Sequence, residues 1–376
     1  MQMPHPSGLP FCSRSPTLLP LCVSVSSMPS AELAQRVSLD SPAALVQRSD
    51  LTDSARHAEK ETVSSHLTPT IFHERWWLEA VTCGRYQTVE CSQGGRLIGW
   101  LPYVLSPRRG FRVSVMPDMT YALGPAIDEG AGGSNKRWLR RLDTLQELAG
   151  KLPPVGFFSQ TCHPGTPDVL GFQACGFDTA VQFSAEVSPA PKEAMWMAMR
   201  DKTRNVIRRA AERWEVTPIG DPQLFKRFYR DNLARNHDAS YFDLETIAKV
   251  FEAAHPRQRC AMVMARNTAQ QIAAAVFYVW DEHRMWYLLS SRDPALGENG
   301  AVSLLIWHAM QDAAQRGLVF DFHGVGAEGT ARFYAGFGAT LKPRFAVHRT
   351  SPGFQLVNSV VTCLRGRSNR NHFTAP

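Results

Sequence analysis

SSRDPALGENGAVSLLIWHAM, residues 290–310, predicts a β-strand that runs through a glycine-rich loop directly into an α-helix. Gly297, Gly300 and the small Ala301 allow backbone amides to come close to a ligand, and the positive end of the helix dipole points to the same place. Proteins commonly hold a pyrophosphate in this way. The alternative is that the glycines only turn the chain and start the helix. The candidate phosphate-binding residues are Gly297, Glu298, Asn299, Gly300, Ala301 and Ser303.

The chain on both sides of this stretch alternates between predicted helices and strands. The second half has helices at 221–235 and 244–254, strands at 259–266, 271–280 and 285–291, a helix at 301–316, a strand at 318–322, a short helix at 329–336 and a strand at 343–349. The first half has a helix at 69–81, paired strands at 86–92 and 96–106, strands at 111–117 and 120–127, a helix at 134–149, a strand at 155–160, a short helix at 171–177 and a strand at 181–187. The two halves look like copies of one mixed α/β plan.

A boundary rich in proline and a basic helix join the two halves. PAPK (189–192) cannot continue a strand, and a long helix is predicted from 192 to 214. Its basic middle carries Lys202, Arg204, Arg208 and Arg209. Three interpretations are open for these cations: a solvated face, a clamp for a nucleotide-linked or anionic glycan acceptor, and contact with an RNA backbone. We disfavour RNA because the helix lacks interleaved aromatic residues for base stacking.

Length and composition are those of a folded protein with two domains. The 376 residues exceed what one hydrophobic core usually takes, and 44% hydrophobic with 20% charged residues is ordinary. The net charge of +7 favours an anionic partner only weakly. The eight cysteines include no C-x-x-C pair and no nearby histidine at ligand spacing. We therefore predict no metal site and a reducing compartment.

The N-terminal segment is expected to be disordered. Residues 1–66 are rich in Ser, Pro and Ala without sustained periodicity, and order is predicted to begin at Pro69. The apolar run LLPLCVSV (18–25) is interrupted by Pro20 and is shorter than the roughly 20 residues that cross a bilayer. It also lacks the charged region and the cleavage site of a secretory signal. We predict no transmembrane segment and a cytoplasmic location.

The order from the glycine loop onward resembles a known fold. A strand, a loop, a helix, the strand FDFHG (320–324) and a short helix carrying FYAGFGA (333–339) are similar to the GNAT acetyltransferase fold, in which this order binds acetyl-CoA. Two such units joined by a basic helix like KTRNVIRRA (202–210) resemble the FemAB-like group, which includes BioF2-like acetyltransferases of exopolysaccharide and capsule clusters. Further similar motifs are WWLEAV (76–81), GRLIGWLPY (95–103), YALGP (121–125) and QIAAAVFYVW (271–280).

The resemblance implies an α/β fold class with mixed sheets, built from tandem duplicated GNAT-like domains. The expected order is a disordered extension (1–68), a degenerate GNAT-like domain (69–188), a basic linking helix (189–214), an acyl-CoA-binding GNAT-like domain (215–350) and a loose basic tail (351–376). The loop DEGAGGS (128–134) precedes the corresponding helix of the first half and begins with acids. We therefore expect one donor site, in the second half.

The resemblance also bears on the identity of the donor. FemX-type ligases that depend on aminoacyl-tRNA carry a Phe-Lys pair where this chain has Phe333 and Tyr334. That lysine stabilises charge during peptide-bond formation, which a neutral phenol cannot do, so the pair favours acyl-CoA over aminoacyl-tRNA. Many acetyl-CoA-dependent relatives use a tyrosine here as general acid. Tyr334 is our candidate for protonating the departing thiolate, and the alternative is a core tyrosine.

Other side chains are candidates for proton transfer and acceptor binding. Asp321 and His323 end a strand on one face and could relay a proton together, although a structural role for Asp321 is an equal alternative. The resemblance places the acceptor near the loop with Asn236, His237 and Asp238. His237 is the candidate base because histidine titrates near neutrality, and the alternative is a solvated loop histidine. The candidate acceptor-binding residues are Arg204, Arg208, Asn236, Asp238 and Phe333.

The expected function is transfer of an acyl group, acetyl first among them, from coenzyme A to an amine. The acceptor would be a small molecule or glycan, such as an amino sugar of envelope or exopolysaccharide synthesis, but a fold does not determine its substrate. One alternative is aminoacyl transfer from charged tRNA to a cell-wall precursor. Another is a non-catalytic scaffold with the same double fold. DNA is not an expected partner, and tRNA is disfavoured.

Overall fold

The computed structural model describes residues 67–235, 240, 242–297 and 299–370, with side chains described as far as Val361. The predicted disorder of residues 1–66 falls outside the described part of the chain, as do the candidate residues Asn236, His237, Asp238 and Glu298. The core already includes Leu67, two residues before the expected start, and its carbonyl accepts a hydrogen bond from Trp100 Nε1 at 2.6 Å. No described helix is long and apolar enough to cross a membrane.

Helices and strands alternate along the described chain. The helices are α1 (Arg75–Thr82), α2 (Ser134–Lys151), α3 (Leu170–Ala174), α4 (Lys192–Ala198), α5 (Asp201–Ala211), α6 (Pro222–Arg235), α7 (Glu245–Ala254), α8 (Ala301–Gln315), α9 (Glu328–Ala335) and α10 (Pro352–Arg370). The strands are β1 (Tyr86–Gln93), β2 (Arg96–Val104), β3 (Ser106–Arg108), β4 (Phe111–Ser114), β5 (Ala126–Ile127), β6 (Phe157–Thr161), β7 (Asp178–Val187), β8 (Glu215–Pro218), β9 (Cys260–Arg266), β10 (Ile272–Trp280), β11 (Arg284–Arg292), β12 (Val319–Gly324) and β13 (Thr340–Thr350).

Most strands belong to one large mixed sheet. Its ten strands run in the order β3-β4-β6-β13-β7-β12-β11-β10-β9-β8, and a smaller sheet has the order β1-β2-β5. The pairs β11–β12 and β4–β6 are parallel, and the other pairs are antiparallel. The predicted mixed α/β class is confirmed.

The two halves of the chain exchange their last strands. β7, from the first half, lies between β12 and β13 of the second half. β13, from the second half, pairs in turn with β6 of the first half. The sequence pattern predicted two similar halves, but nothing in it indicated this exchange. As a result, both halves contribute strands to the centre of one sheet.

The prediction of one continuous linking helix from 192 to 214 is wrong. It is two helices, α4 and α5, because Met199 and Arg200 are extended, with ψ of 152° and 143°. The backbone N–H of Arg200 donates to the carbonyl of Gly336 at 3.0 Å, just beyond α9. This tertiary contact replaces a helical hydrogen bond at the junction. The strand β8 then begins at Glu215, where no strand was predicted.

Two other expectations need correction. The tail from 351 was expected to be loose, but helix α10 begins at Pro352. Phe354 anchors it, with ring centroids 5.6 Å from Phe111 and 5.9 Å from Phe157. The strand predicted at 120–127 is reduced to β5 and a single bridge of Leu123 to Cys162.

Helices cover both faces of the large sheet. On one face, α4, α5, α8 and α9 pack over a cluster that includes Phe320 and Phe322. On the other face, α1, α6 and α7 pack over a cluster that includes Phe277 and Trp286. In the first half, α2 and α3 cover a third cluster around Phe158. The candidate site lies between these layers, where β11 and β12 end.

Candidate active site

The two parallel strands of the second half stop pairing inside the sheet. β11 and β12 pair only over Arg284–Trp286 and Val319–Asp321, although both strands continue further. Two cavities lie at the opening between them. The Tyr334 cavity, of about 540 Å³, is lined by Tyr229, Asn232, Tyr287, Ser290, Val302 and Tyr334, among others. The His323 cavity, of about 260 Å³, is lined by Tyr121, Thr161, Gln182, Ser184, His323 and Arg344, among others.

Tyr334 combines a buried ring with a hydroxyl that has no hydrogen-bond partner among the described residues. Its ring packs against Phe322 with centroids 4.3 Å apart, and only 6% of the residue is exposed. Among the described residues, none forms a hydrogen bond with the hydroxyl. Burial raises the pKa of Tyr334 well above its usual value, so the hydroxyl is protonated at neutral pH. Tyr334 can therefore donate a hydrogen bond or a proton to a molecule in the Tyr334 cavity, which Phe333 also lines.

His323 is held between two tyrosine rings. Its imidazole stacks on Tyr121 at 4.0 Å between ring centroids and lies nearly parallel to Tyr287 at 6.1 Å. Burial lowers the pKa of His323 to about 4, which keeps the ring neutral near pH 7. No described residue forms a hydrogen bond with either ring nitrogen. A neutral imidazole with free nitrogens therefore faces the His323 cavity.

Asp321 lies at the centre of a buried network of charges. It is completely buried, and its carboxylate accepts hydrogen bonds from Arg344 at 3.1 Å and from Arg284 at 3.4 Å. Ser184 donates to the same carboxylate, and Glu186 pairs with both arginines. Burial raises the pKa of Asp321, whereas Ser184 and the two arginines oppose the rise. The carboxylate is thus held by the hydroxyl of Ser184 and two arginine side chains, as the structural alternative for Asp321 expects.

The prediction that Asp321 and His323 share a face agrees with the structure, but the expected relay does not follow from it. Phe320 and Phe322 pack into the opposite face of the sheet. The link between the two candidates is the backbone N–H of His323, which donates to Asp321 at 2.8 Å. The φ of His323 is 57°, in the left-handed region. Asp321 thus contacts the backbone of His323 rather than its imidazole, and the proton relay stays a prediction.

The glycine loop before α8 is partly packed and partly open. A Cβ at Gly297 would meet nothing within 4 Å, whereas one at Gly300 would lie 2.8 Å from Val206 of α5. The side-chain oxygen of Asn299 accepts a hydrogen bond from the backbone N–H of Ala301, the first residue of α8, at 2.9 Å, while its amide nitrogen is buried without a described partner. The side chains of Ala301 and Ser303 are buried. Of the loop's described candidates, Gly297 is the one with open space beside its backbone.

The basic residues of α5 are engaged mainly with their own helix pair. Arg204 forms an ion pair with Asp201 and donates to the carbonyl of Met197 at 3.3 Å, which caps α4. Arg208 donates to Asn205 at 2.8 Å and lies over the ring of Trp196. Neither arginine lines one of the two cavities. Acceptor binding by Arg204 and Arg208 stays a prediction. Arg204 also stabilises the end of α4 through its hydrogen bond to Met197.

Several residues of the site were not predicted from the sequence. Tyr121, Gln182 and Ser184 come from the first half, and the exchange of β7 and β13 brings them to His323 and Arg344. Tyr121 belongs to the YALGP motif but was not proposed as a site residue, and no motif marks Gln182 or Ser184, because their positions depend on pairing between distant parts of the chain. Tyr287 could have been found, since it is a polar residue near the end of the strand that leads into the glycine loop.

Comparison with known proteins identifies the second half. Residues 197–334 match the family model described as "Acetyltransferase (GNAT) domain". This segment is a GNAT acetyltransferase domain. The matched segment includes α5, the glycine loop and Tyr334. No curated protein sequence matches the chain.

The GNAT domain and the half before it together share the fold of a solved protein. The crystal structure of FemX is 11% identical, with 76% of this chain and 94% of FemX aligned and a TM-score of 0.59. The C-terminal domain of a putative lysylphosphatidylglycerol synthetase from Agrobacterium fabrum is 14% identical over 80% of this chain and 96% of that one, at a TM-score of 0.48. A tandem GNAT protein from the clavulanic acid pathway is 8% identical over 70% and 83%, at 0.44. The FemX match confirms the tandem GNAT-like fold.

Proposed function

We propose that the chain transfers an acyl group from acyl-CoA to an amine. The observation that carries this proposal is the free, protonated hydroxyl of Tyr334 in a cavity at the N-terminal end of α8. A neutral phenol can protonate a thiolate, but it cannot supply the positive charge of a lysine. Tyr334 therefore supports coenzyme A as the leaving group rather than tRNA.

The donor would bind with its pyrophosphate at the start of α8. Amides in the first turn of a helix have no partner within the helix and attract anions. Gly297 leaves the approach to this end of the helix open. The acyl group would then extend along the Tyr334 cavity toward the opening between β11 and β12.

The acceptor amine would enter from the His323 cavity and attack the thioester carbonyl. A C–N bond forms as the C–S bond breaks, the thiolate takes a proton from Tyr334, and the amine nitrogen loses one proton. The nitrogen of the tetrahedral adduct is much more acidic than a free ammonium, so the weakly basic His323 is able to accept its proton. The neutral stack of Tyr121, His323 and Tyr287 lies between the two reactants.

The acceptor proposed is an amino sugar or a similar small amine of envelope or exopolysaccharide synthesis. A cavity of about 260 Å³ suits one ring rather than a long chain. The amide of Gln182 and the hydroxyl of Thr161 line it, and the charges of Arg344 are already balanced by Glu186 and Asp321. These features favour a hydroxyl-bearing acceptor without a strong negative charge.

The test is release of free thiol from acetyl-CoA by the purified protein in the presence of amino sugars. Tyr334→Phe should lower the turnover about 100-fold or more without changing the melting temperature. Tyr278→Phe is the matched control, because Tyr278 is also a buried tyrosine but lies outside both cavities, and it should retain activity.

Binding of the donor gives an independent measurement. At a concentration about 100 times Kd, acetyl-CoA should stabilise the protein by about 2.7 kcal/mol, seen as a rise in Tm. No rise at millimolar acetyl-CoA would remove the support for this donor. Activity that depends on charged tRNA and disappears with RNase would establish the aminoacyl alternative instead.

A further inference from the structure

The apolar stripe of helix α2 continues beyond the core that it covers. Leu145 and Leu148 are buried in the first-half cluster, and Leu142, one turn toward the N-terminus, is half-buried. One further turn outward, Trp138 and Leu139 are 42% and 47% exposed. Residues three and four apart on a helix share a face, so these side chains extend one row from the core into solvent.

The neighbouring helix α3 enlarges this exposed end. It packs against α2 so closely that a Cβ at Gly171 would lie 3.0 Å from the carbonyl oxygen of Leu142. Leu170, the adjoining residue, is 45% exposed. Trp138, Leu139 and Leu170 form what we call the α2 patch. Every residue from 134 to 139 is exposed, so no other described element covers this end of the helix.

Two exposed cations, Lys136 and Arg137, lie beside the α2 patch on the same helix. The sequence from 134 to 142, SNKRWLRRL, contains four cations and no acid. Lys136 and Arg137 are exposed, and neither forms an ion pair with a described residue. Of the nearby acids, Glu129 and Asp168 both pair with Arg141, and Asp143 is exposed one turn further along α2. The exposed apolar residues thus lie beside uncompensated cations.

We infer that the α2 patch docks the protein on an anionic membrane surface. Trp138 and Leu139 would enter the boundary between headgroups and acyl chains, and Lys136 and Arg137 would contact lipid phosphates. A symmetric contact between two copies would bring the unpaired cations of both copies together, which disfavours self-association. Exposed leucines offer nothing to the polar edges of nucleic-acid bases, so RNA is disfavoured as well. This inference does not depend on the identity of the acyl donor.

The experiment is sedimentation of the full chain with vesicles of phosphatidylcholine alone or mixed with phosphatidylglycerol. The wild-type protein should bind only the mixed vesicles, and added salt should weaken the binding. The double variant Lys136→Glu/Arg137→Glu should lower the partition coefficient at least about tenfold, because both substitutions replace attraction to the anionic surface by repulsion. The matched control is Lys192→Glu/Arg227→Glu, which changes the net charge equally at other exposed cations and should reduce binding much less.

Insertion of the apolar residues is measured separately. Trp138→Ala/Leu139→Ser should lose vesicle binding with unchanged Tm and unchanged thiol release, whereas Met197→Ser, at a residue 68% exposed elsewhere, should retain binding. Trp138→Phe should retain binding but show less quenching of tryptophan fluorescence by brominated lipid. The inference is overturned if the wild-type protein does not bind the mixed vesicles at low salt, or if Trp138→Ala/Leu139→Ser still binds them. It is also overturned if that variant instead loses RNA binding or changes the oligomeric state.

Discussion

The residues of this site differ in whether other described residues form hydrogen bonds with their polar side-chain atoms. Asp321 receives hydrogen bonds from Ser184, Arg284, Arg344 and the backbone of His323. The polar side-chain atoms of Tyr334 and His323, by contrast, have no described partner. A fully satisfied buried carboxylate is poorly suited to exchange protons, whereas an unbonded group beside a cavity can act on a substrate. We therefore separate a structural Asp321 from the candidate reactive groups.

Asp321→Asn tests this separation. Removing the carboxylate leaves Arg284 and Arg344 with only Glu186, so the free energy of unfolding should fall by about 3–5 kcal/mol. Asp231→Asn, which breaks an exposed pair with Arg230, should cost less than about 1 kcal/mol. Urea denaturation measures both. A variant that unfolds like the wild type but has lost its activity would show instead that Asp321 takes part in proton transfer.

The elements around the glycine loop explain, by their packing, a motif that was recognised from the sequence. The pattern F-x-x-x-F-G at 333–338 supported the family resemblance, and the structure explains its last glycine by packing. A Cβ at Gly338 would lie 2.9 Å from the carbonyl oxygen of Ala198, at the end of α4. Val206 of α5 approaches Gly300 in a similar way. The α4–α5 pair is therefore packed against both the glycine loop and the end of α9.

Gly338→Ala should disrupt this packing. Gly338 has a φ of 77°, so alanine there would cost about 1–2 kcal/mol from the backbone alone. The contact with Ala198 should add about 1–3 kcal/mol, as for other overpacked sites. Gly84→Ala is the control, because Gly84 has a φ of 72° but open space around it, and it should show only the backbone cost. If Gly338→Ala and Gly84→Ala lower the free energy of unfolding equally in urea denaturation, the α4–α5 junction moves to accept the new methyl group at no cost.

Local patterns predicted most of the elements but not their breaks. The β1–β2 hairpin, the strands β9 to β12 and the helix after the glycine loop all lie close to their predicted positions. The break at Met199 and Arg200 was missed, because a hydrogen bond to Gly336 maintains it and local sequence carries no sign of that bond. For the same reason Tyr334 and His323 could be proposed from their motifs, whereas Gln182 and Arg344 could not.

On the scale of the whole molecule, the exchange of β7 and β13 makes each half depend on the other. β7 pairs with β12 on one side and with β13 on the other, both from the second half. β6 would lose its partner β13 if the halves were separated. The buried charges follow the same arrangement, since Glu186 of the first half pairs with Arg284 and Arg344 of the second. The site itself is built across this junction.

The described chain should consequently unfold as one unit rather than as two domains. Calorimetry should show a single transition, because strands that pair across the two halves cannot be lost from one half alone. Residues 67–189 and 190–370, produced separately, should each lack a cooperative transition, since each would expose strand edges and unpaired buried charges. Produced together, the two pieces should associate and recover the transition of the intact chain. Cooperative melting of either piece alone near the Tm of the whole chain would show that the exchanged strands add little to its stability. The two halves would then be independent domains.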